Sequence, residues 1–407
     1  MKIRSITCFI QSDPAEFEKS LSNLGRLVKE GITAFSSIGY EVQSARLATH
    51  PFPEFFPADQ PAHWPNLAKE IEVTTRQAGF DYISLGPASP EKITCFHEIP
   101  AMLAATQNTF LSAKVTTNYF QISIPAIQKA AQIICRSSTI DKNGFANLRF
   151  AALANIHPFT PFFPAAYATG NKPAFALAMQ AADVVLEVFQ KSRSLQQARE
   201  ELLEILENQT SQVQSVSEKL EQQFNVEFKG IDLSPAPFPE ERCSIGKALE
   251  ALGLPGFGYA GSLTAAAFLA DILQQGNWKK TGFNGIMLPV LEDSTLAVRS
   301  AQSNLNVYDL LAYSAVCGTG LDTLPLPGDI TPEEIEPLLM DIAAMALRLN
   351  KPLTARLMPI PGKKAGEKTE FQFDYFVNGQ VLDYRTKPLS GLLHGTENFI
   401  LSPKETK

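Results

Sequence analysis

Residues 313–330 read YSAVCGTGLDTLPLPGDI. An apolar run ends in Cys317-Gly318-Thr319-Gly320, a strand-like piece follows over 321–326, and Pro327-Gly328-Asp329 stops it sharply. Glycines on either side of a threonine let a backbone approach a neighbour closely. Pro325 and Pro327 restrict φ along the same piece. Asp322 sets an ionisable group two residues beyond the second glycine. Two readings stay open. In one, Cys317 is a nucleophile, Asp322 is an acid–base group or metal ligand, and Gly318 and Gly320 touch a ligand. In the other, the stretch is a tight turn into a buried strand and Cys317 is a small core residue.

The flanking chain repeats the same theme. Upstream, 225–233 and 283–291 read as strands and 244–252, 263–273 and 307–316 as helices. Downstream, Thr331 and Glu334 form a capping box for a helix over 332–349. Residues 353–360 are a strand, and 370–382 predict a hairpin about Asn378-Gly379. In the first half, 2–10, 41–49, 81–85, 110–116 and 146–156 read as strands, with helices at 13–35, 64–78, 99–105 and 124–138 between them. Asp13-Pro14 supplies an N-cap and a first-turn proline. Residues 174–188 read as a helix. The long polar stretch 195–224 carries Leu202, Leu206, Val213, Val216, Leu220 and Phe224 as a narrow stripe, which suits a connector, a subunit contact or an ordinary surface helix.

Alternating strands and helices predict parallel strands covered by helices. Right-handed crossovers then set every strand's C-terminal end on one side. About five strands from each half predict a ten-stranded α/β barrel of two parallel five-stranded halves, with a doubly wound open sheet as the alternative. The chain reads as a single domain whose halves, about 1–170 and 226–407, are joined by a helical connector over about 174–225.

With 407 residues, 45% of them hydrophobic, the chain can bury a large core. A net charge of -7 argues against nucleic acid as a partner, because phosphate binding wants a basic surface. No apolar run reaches the roughly 18 residues of a membrane helix, and the N-terminal apolar stretch is too short for a secretion signal. Five widely spaced cysteines with no CxxC pair fit a reducing, cytoplasmic setting.

In α/β proteins, ligands bind beyond the carboxyl ends of the strands. There the sequence sets Asn155 and His157 in NIHPF, then Glu292, Asp293, Asp322 and Lys363. The carboxylates suit acid–base work or, with His157, a divalent metal ion; the other reading is solvated loop charge. The corner Gly256, Gly258, Gly261 and Ser262, in GFGYAGS, opens a helix and suits an anion, or else the close packing of a small-residue helix.

Five blocks in order, IDLSPAPFPEERCSIGKALE, GFGYAGSLTAAAFLADIL, FNGIMLPVLEDSTLA, AVCGTGLDTLPLPGDI and ARLMPIPGKKAGE, resemble the domain of unknown function 711 family. IRSITCFI and NLRFAALANIHPFTPFF fit the same order. The family is similar in fold to pyruvate formate-lyase and ribonucleotide reductase, so the resemblance implies a barrel of two antiparallel-set halves. It brings no list of catalytic residues. The glycyl-radical motif of the lyases, of the RVxGY type, has no match in RTKPLSGLL near the C-terminus, and the lyase's adjacent cysteine pair is absent. The expectation is therefore a non-radical enzyme acting on a small anionic metabolite, or a metabolite-binding sensor or scaffold, in either case a homodimer or higher homo-oligomer.

Overall fold

In the computed structural model, which describes residues 1–11, 14–117, 119–316 and 318–404, strand β1 (Lys2–Phe9) sits inside one nine-stranded sheet. Strands β2 (Ala45–Ala48), β3 (Tyr82–Ala88), β4 (Thr109–Lys114) and β6 (Phe150–Ala154) run parallel to β1. The small β5 (Gln121–Ser123) pairs instead with β11 (Asn398–Ile400). Strands β7 (Ala174–Gln180) and β8 (Glu227–Asp232) flank β1, and β10 (Leu353–Ile360) and β9 (Gly320–Pro327) flank β6. Both flanking pairs run against the central five. Lys2 faces Gln180, and Ala154 faces Leu353. The N-terminal ends of the central strands therefore lie beside the C-terminal ends of β7–β10. The expected gathering of all C-terminal ends on one side is corrected: opposite strand directions split them between the two ends of the sheet.

The alternation of side chains assigns the two faces. Ile6, Cys8, Leu47, Ile83, Leu85, Leu111, Ala113, Ala152 and Leu177 belong to the main core. The helices supply its other side: α1 (Pro14–Ser37), α2 (Trp64–Gln77), α3 (Ile99–Ala105), α4 (Ile124–Ser137), α5 (Ala182–Lys191), α6 (Leu195–Phe224), α7 (Ile245–Glu250), α8 (Ser262–Gln275), α9 (Ser294–Ala301), α10 (Val307–Tyr313) and α11 (Pro332–Arg348). The intervening residues are mostly small and pack on chain rather than on helix. Ala48, Ala174 and Ala176 meet Phe163, Ala166 and Ala168, while Ala151 and Leu153 meet Ile156, Ala165 and Tyr167. The loop that leaves β6 thus threads along this face. Thr7 Oγ1 donates to the Pro161 carbonyl at 3.3 Å, Ser84 Oγ to that of Ala166 at 2.7 Å, and Ala168 N to that of Thr49 at 2.8 Å.

Three local expectations change, and a fourth lies outside the described residues. Residues 174–180, AFALAMQ, are rich in helix formers, yet they form β7, because seven register pairs with β1 and a ladder to β8 outweigh local propensity. The strand expected at 283–291 makes no ladder. Positive φ at Gly282 and Asn284 interrupts it, and its bonds are scattered: Ile231 N to Lys279 O, Thr281 N to Ile231 O, and Gly318 N to Ile286 O. The nine strands thus lack both 283–291 and 370–382 and gain β7, with 279–286 touching β8 at one end and the chain entering β9 at the other. The hairpin at 370–382 reduces to a single bridge, Lys368 to Gln380. There the Asn378 side chain holds the turn, accepting from Phe371 N and donating to Phe371 O. Finally, Asp13, expected as the α1 cap, lies outside the described residues. The stripe of α6 behaves as read: Leu202, Leu206, Val213, Leu220 and Phe224 are buried. At α11, Glu334 accepts from Thr331 N at 3.1 Å.

Candidate functional site

Three strands of the sheet each carry one arginine: Arg4 in KIRSITCF, Arg46 in ARLA and Arg356 in LTARLMPI. Where the N-terminal ends of the central strands meet the C-terminal end of β10, these arginines line a cavity of about 210 Å³. Phe162 and Phe163, from the threaded loop, form one wall, and Phe373 and Tyr375 another. Asn378 holds the turn beside this second wall, whose Phe373 also packs against Phe145 and Phe376.

Glu292 lies at the centre of the charge network. Its Oε1 accepts from Arg356 at 3.0 Å and its Oε2 from Arg4 at 2.6 Å. Arg356 Nε also donates to Asp322 Oδ1 at 2.6 Å. Burial opposes ionisation of Glu292, but Arg4 and Arg356 outweigh it and hold its carboxyl below the usual range. Burial raises Asp322 against the pull of Arg356, and the charge on Glu292 adds to the rise. Arg149 also lines the cavity, but its guanidinium is taken up by Leu103 O, Thr106 Oγ1 and Thr109 O.

Arg46 differs from the others. Its Nε donates to Ser44 Oγ at 3.0 Å, and its guanidinium carbon lies 5.3 Å from the Phe163 ring and 6.0 Å from that of Tyr82. Among the described residues it forms no ion pair with a carboxylate. Burial, with Arg4 adding, lowers its pKa to about 10, so it remains charged at neutral pH. Three guanidiniums, Arg4, Arg46 and Arg356, face two carboxylates, so at least one positive charge is left for an anion to balance. The rings of Tyr82, Phe110 and Phe163, in edge-to-face contact, give the same cavity an apolar side.

The structure draws some of the sequence candidates together and separates others. Glu292 lines the cavity, and Asp322 stands behind it through Arg356. Asp293 points elsewhere and caps two helices at once. Its Oδ1 accepts from Thr295 N and Leu296 N at the start of α9, and its Oδ2 from Ile245 N and Gly246 N at the start of α7. The corner Gly256, Gly258, Gly261 and Ser262 is occupied with itself: Phe257 N donates to Glu250, and Gly258 N to Ser262 Oγ. Gly258 has φ 107°, and a Cβ there would collide with the Asn304 carbonyl. Gly318 achieves the close approach read from the sequence, but toward backbone: a Cβ on it would lie 2.6 Å from the Cα of Gly285. Gly320 packs likewise on Thr354. Lys363 pairs with Glu370 at 3.3 Å. Asn155 and His157 follow β6 at the other end of the sheet. Cys317 lies outside the described residues. Among the described residues no three His, Cys, Asp or Glu side chains gather as a metal site, and no helix is long and apolar enough to cross a membrane.

The arginines were missed by a search for strand-end residues. The available signal was an arginine inside a mostly buried strand, as at Arg46 and Arg356, which is rarely left without a purpose.

The fold and cavity define a mixed α/β protein with a small, cationic, aromatic-walled chamber. The model of the family described as Uncharacterised ACR (DUF711) matches residues 1–378, and the chain belongs to that family. A UPF0210 protein of Pyrobaculum arsenaticum is similar at 30% identity, covering 71% of this chain and 65% of its own length. A UPF0210 protein of Syntrophobacter fumaroxidans is 27% identical over 88% of this chain and 84% of its own. One of Ligilactobacillus salivarius is 26% identical over 87% and 82%.

Proposed function

We propose that the protein is a non-radical enzyme acting on a small anionic metabolite held in the arginine-lined cavity. The observation that carries this reading is Arg46, a half-buried guanidinium facing the chamber with no carboxylate partner among the described residues. Protein interiors seldom retain such a charge without a counter-ion. The volume of about 210 Å³ suits a small molecule, below the roughly 300 Å³ at which drug-sized sites begin. Glu292, kept ionised by Arg4 and Arg356, and Asp322, pushed the other way, are a pair of carboxyls with separated proton affinities, the usual basis for dividing acid and base roles. Of the two, only Glu292 lines the cavity and could exchange a proton there; Asp322 acts through Arg356 and is a positioning residue.

The wider architecture we propose is a closed barrel, with residues 279–286 standing in the tenth place between β8 and β9. Helices on one face and small residues on the other support it, as does the family's likeness to barrel enzymes. We further propose a cytoplasmic homo-oligomer.

A second reading, a non-catalytic sensor, is favoured by one fact: both carboxyls near the cavity are already hydrogen-bonded to arginine. Native mass spectrometry of gently purified protein tests the pair. A retained small anion that is lost in Arg46→Met supports the site, and its turnover on incubation separates enzyme from sensor. If no panel of small carboxylates and phosphates stabilises the wild type, or if Arg46→Met binds equally well, the proposal fails. The same spectra give the subunit number.

A further inference from the structure

At the end of the sheet remote from the arginines, the C-terminal ends of β4 and β6 and the turn before β10 border a second, solvent-open cleft of about 270 Å³. Lys114, Thr116, Asn155, His157 and Asn350 supply its polar wall, and among the described residues no carboxylate lines it. Lys114 Nζ lies 4.5 Å above the Tyr167 ring and donates to the Tyr167 hydroxyl at 3.2 Å, which in turn donates to the Ile156 carbonyl. Among the described residues no acidic side chain pairs with Lys114. Glu54 and Glu91 line an adjoining space of about 300 Å³ on its other side. Tyr167 fixes the direction of the ammonium and leaves it two further protons to donate. Asn155 holds φ 56°, a left-handed conformation in which its side chain reaches Asn350 at 3.3 Å. Asn155 N is satisfied by Thr116 Oγ1 at 3.0 Å, so this strained corner is built from the same residues that wall the cavity.

We infer that this is a second binding site, for a small oxyanion, either a phosphate or a short carboxylate, with Lys114 as its cation. Thr116, Thr117 and the Asn155–Asn350 amides offer neutral hydrogen bonds around it. The inference does not depend on the role of Arg46. Burial lowers the pKa of Lys114, so a bound anion would favour its charged form.

The test uses the whole chain carrying Arg46→Met, which silences the first cavity. Orthophosphate and oxalate are titrated separately by calorimetry, which distinguishes the two sources of oxyanion. One of them is expected to bind, and Lys114→Met should weaken it about ten- to hundredfold, the value of a charge-assisted hydrogen bond. Lys114→Arg should retain part of the affinity. In the unsubstituted protein, the same anion should shield Lys114 from amine acylation, read by peptide mass spectrometry. Binding that survives Lys114→Met, absence of binding by both anions, or unshielded Lys114 would each overturn the inference.

Discussion

Replacing Glu292 with Gln keeps the shape of the side chain and deletes one charge. In the native protein this carboxylate is 5% exposed and receives two guanidinium bonds, at 2.6 and 3.0 Å. Without it, Arg4, Arg46 and Arg356 face Asp322 alone, and the excess of positive charge rises from one to two. Breaking a buried ion pair by removing one partner costs about 3–5 kcal/mol, because the surviving charge is left without compensation. Glu292→Gln should therefore lose about that much at pH 7 in urea unfolding. The pH dependence follows from the direction of the shift. A carboxyl with a folded pKa below its unfolded value of about 4.3 contributes stability that is complete above that value and disappears as pH falls through the folded pKa. The gap between wild type and variant should be flat from pH 7 to about 5 and narrow below about pH 4. Adding Arg4→Met should recover part of the loss, since the two positions are coupled. A loss under about 1 kcal/mol at pH 7, typical of an exposed pair, or a gap that ignores acidification, would refute the account of the network.

Arg46→Met should fold as well as the native chain or gain about 0.5–2 kcal/mol, as functional charges often do when replaced; a clear drop in melting temperature would mark Arg46 as structural instead. Asp293→Ala removes the cap of α9 and the acceptor for Ile245 N and Gly246 N beside the Ser244 cap of α7, and should cost about 1–3 kcal/mol, while anion binding measured by calorimetry stays unchanged. Gly258→Ala forces a Cβ at φ 107° into the Asn304 carbonyl; a loss of about 1–3 kcal/mol is expected, and a thermal melt at native temperature would show the corner to be more plastic than described.

The mixed α/β class was legible in the sequence because strand and helix periods alternate cleanly along it, and so were α4, α6, α11 and β10. The error at 174–180 came from composition: Ala, Leu and Met favour a helix, and only a partner strand far away in sequence makes them a ladder. The missing strand at 283–291 came from Gly282 and Asn284, whose left-handed backbone no apolar count detects. Glu292 and Asp322 were found by their position beside apolar runs. Asp293 shared that position but serves two helix ends, since the turn at 290–292 ends there and sets it as the N-cap of α9. The arginines went unnoticed because strand-end reasoning looks past the strand interior. The division of strand directions, which moved Asn155 and His157 to the far end, depends on long-range pairing with no local trace.

The chain from Asn155 to Ala168 is one covalent strap with a foot in each chamber. Asn155 and His157 border the lysine cavity, Phe162 and Phe163 wall the arginine cavity, and Tyr167 returns beside Lys114. A single insertion or deletion in these residues would reshape both compartments at once. The two ends of the molecule are thus bound to a common evolutionary fate, and any effort to retailor one pocket must begin by asking what it does to the other.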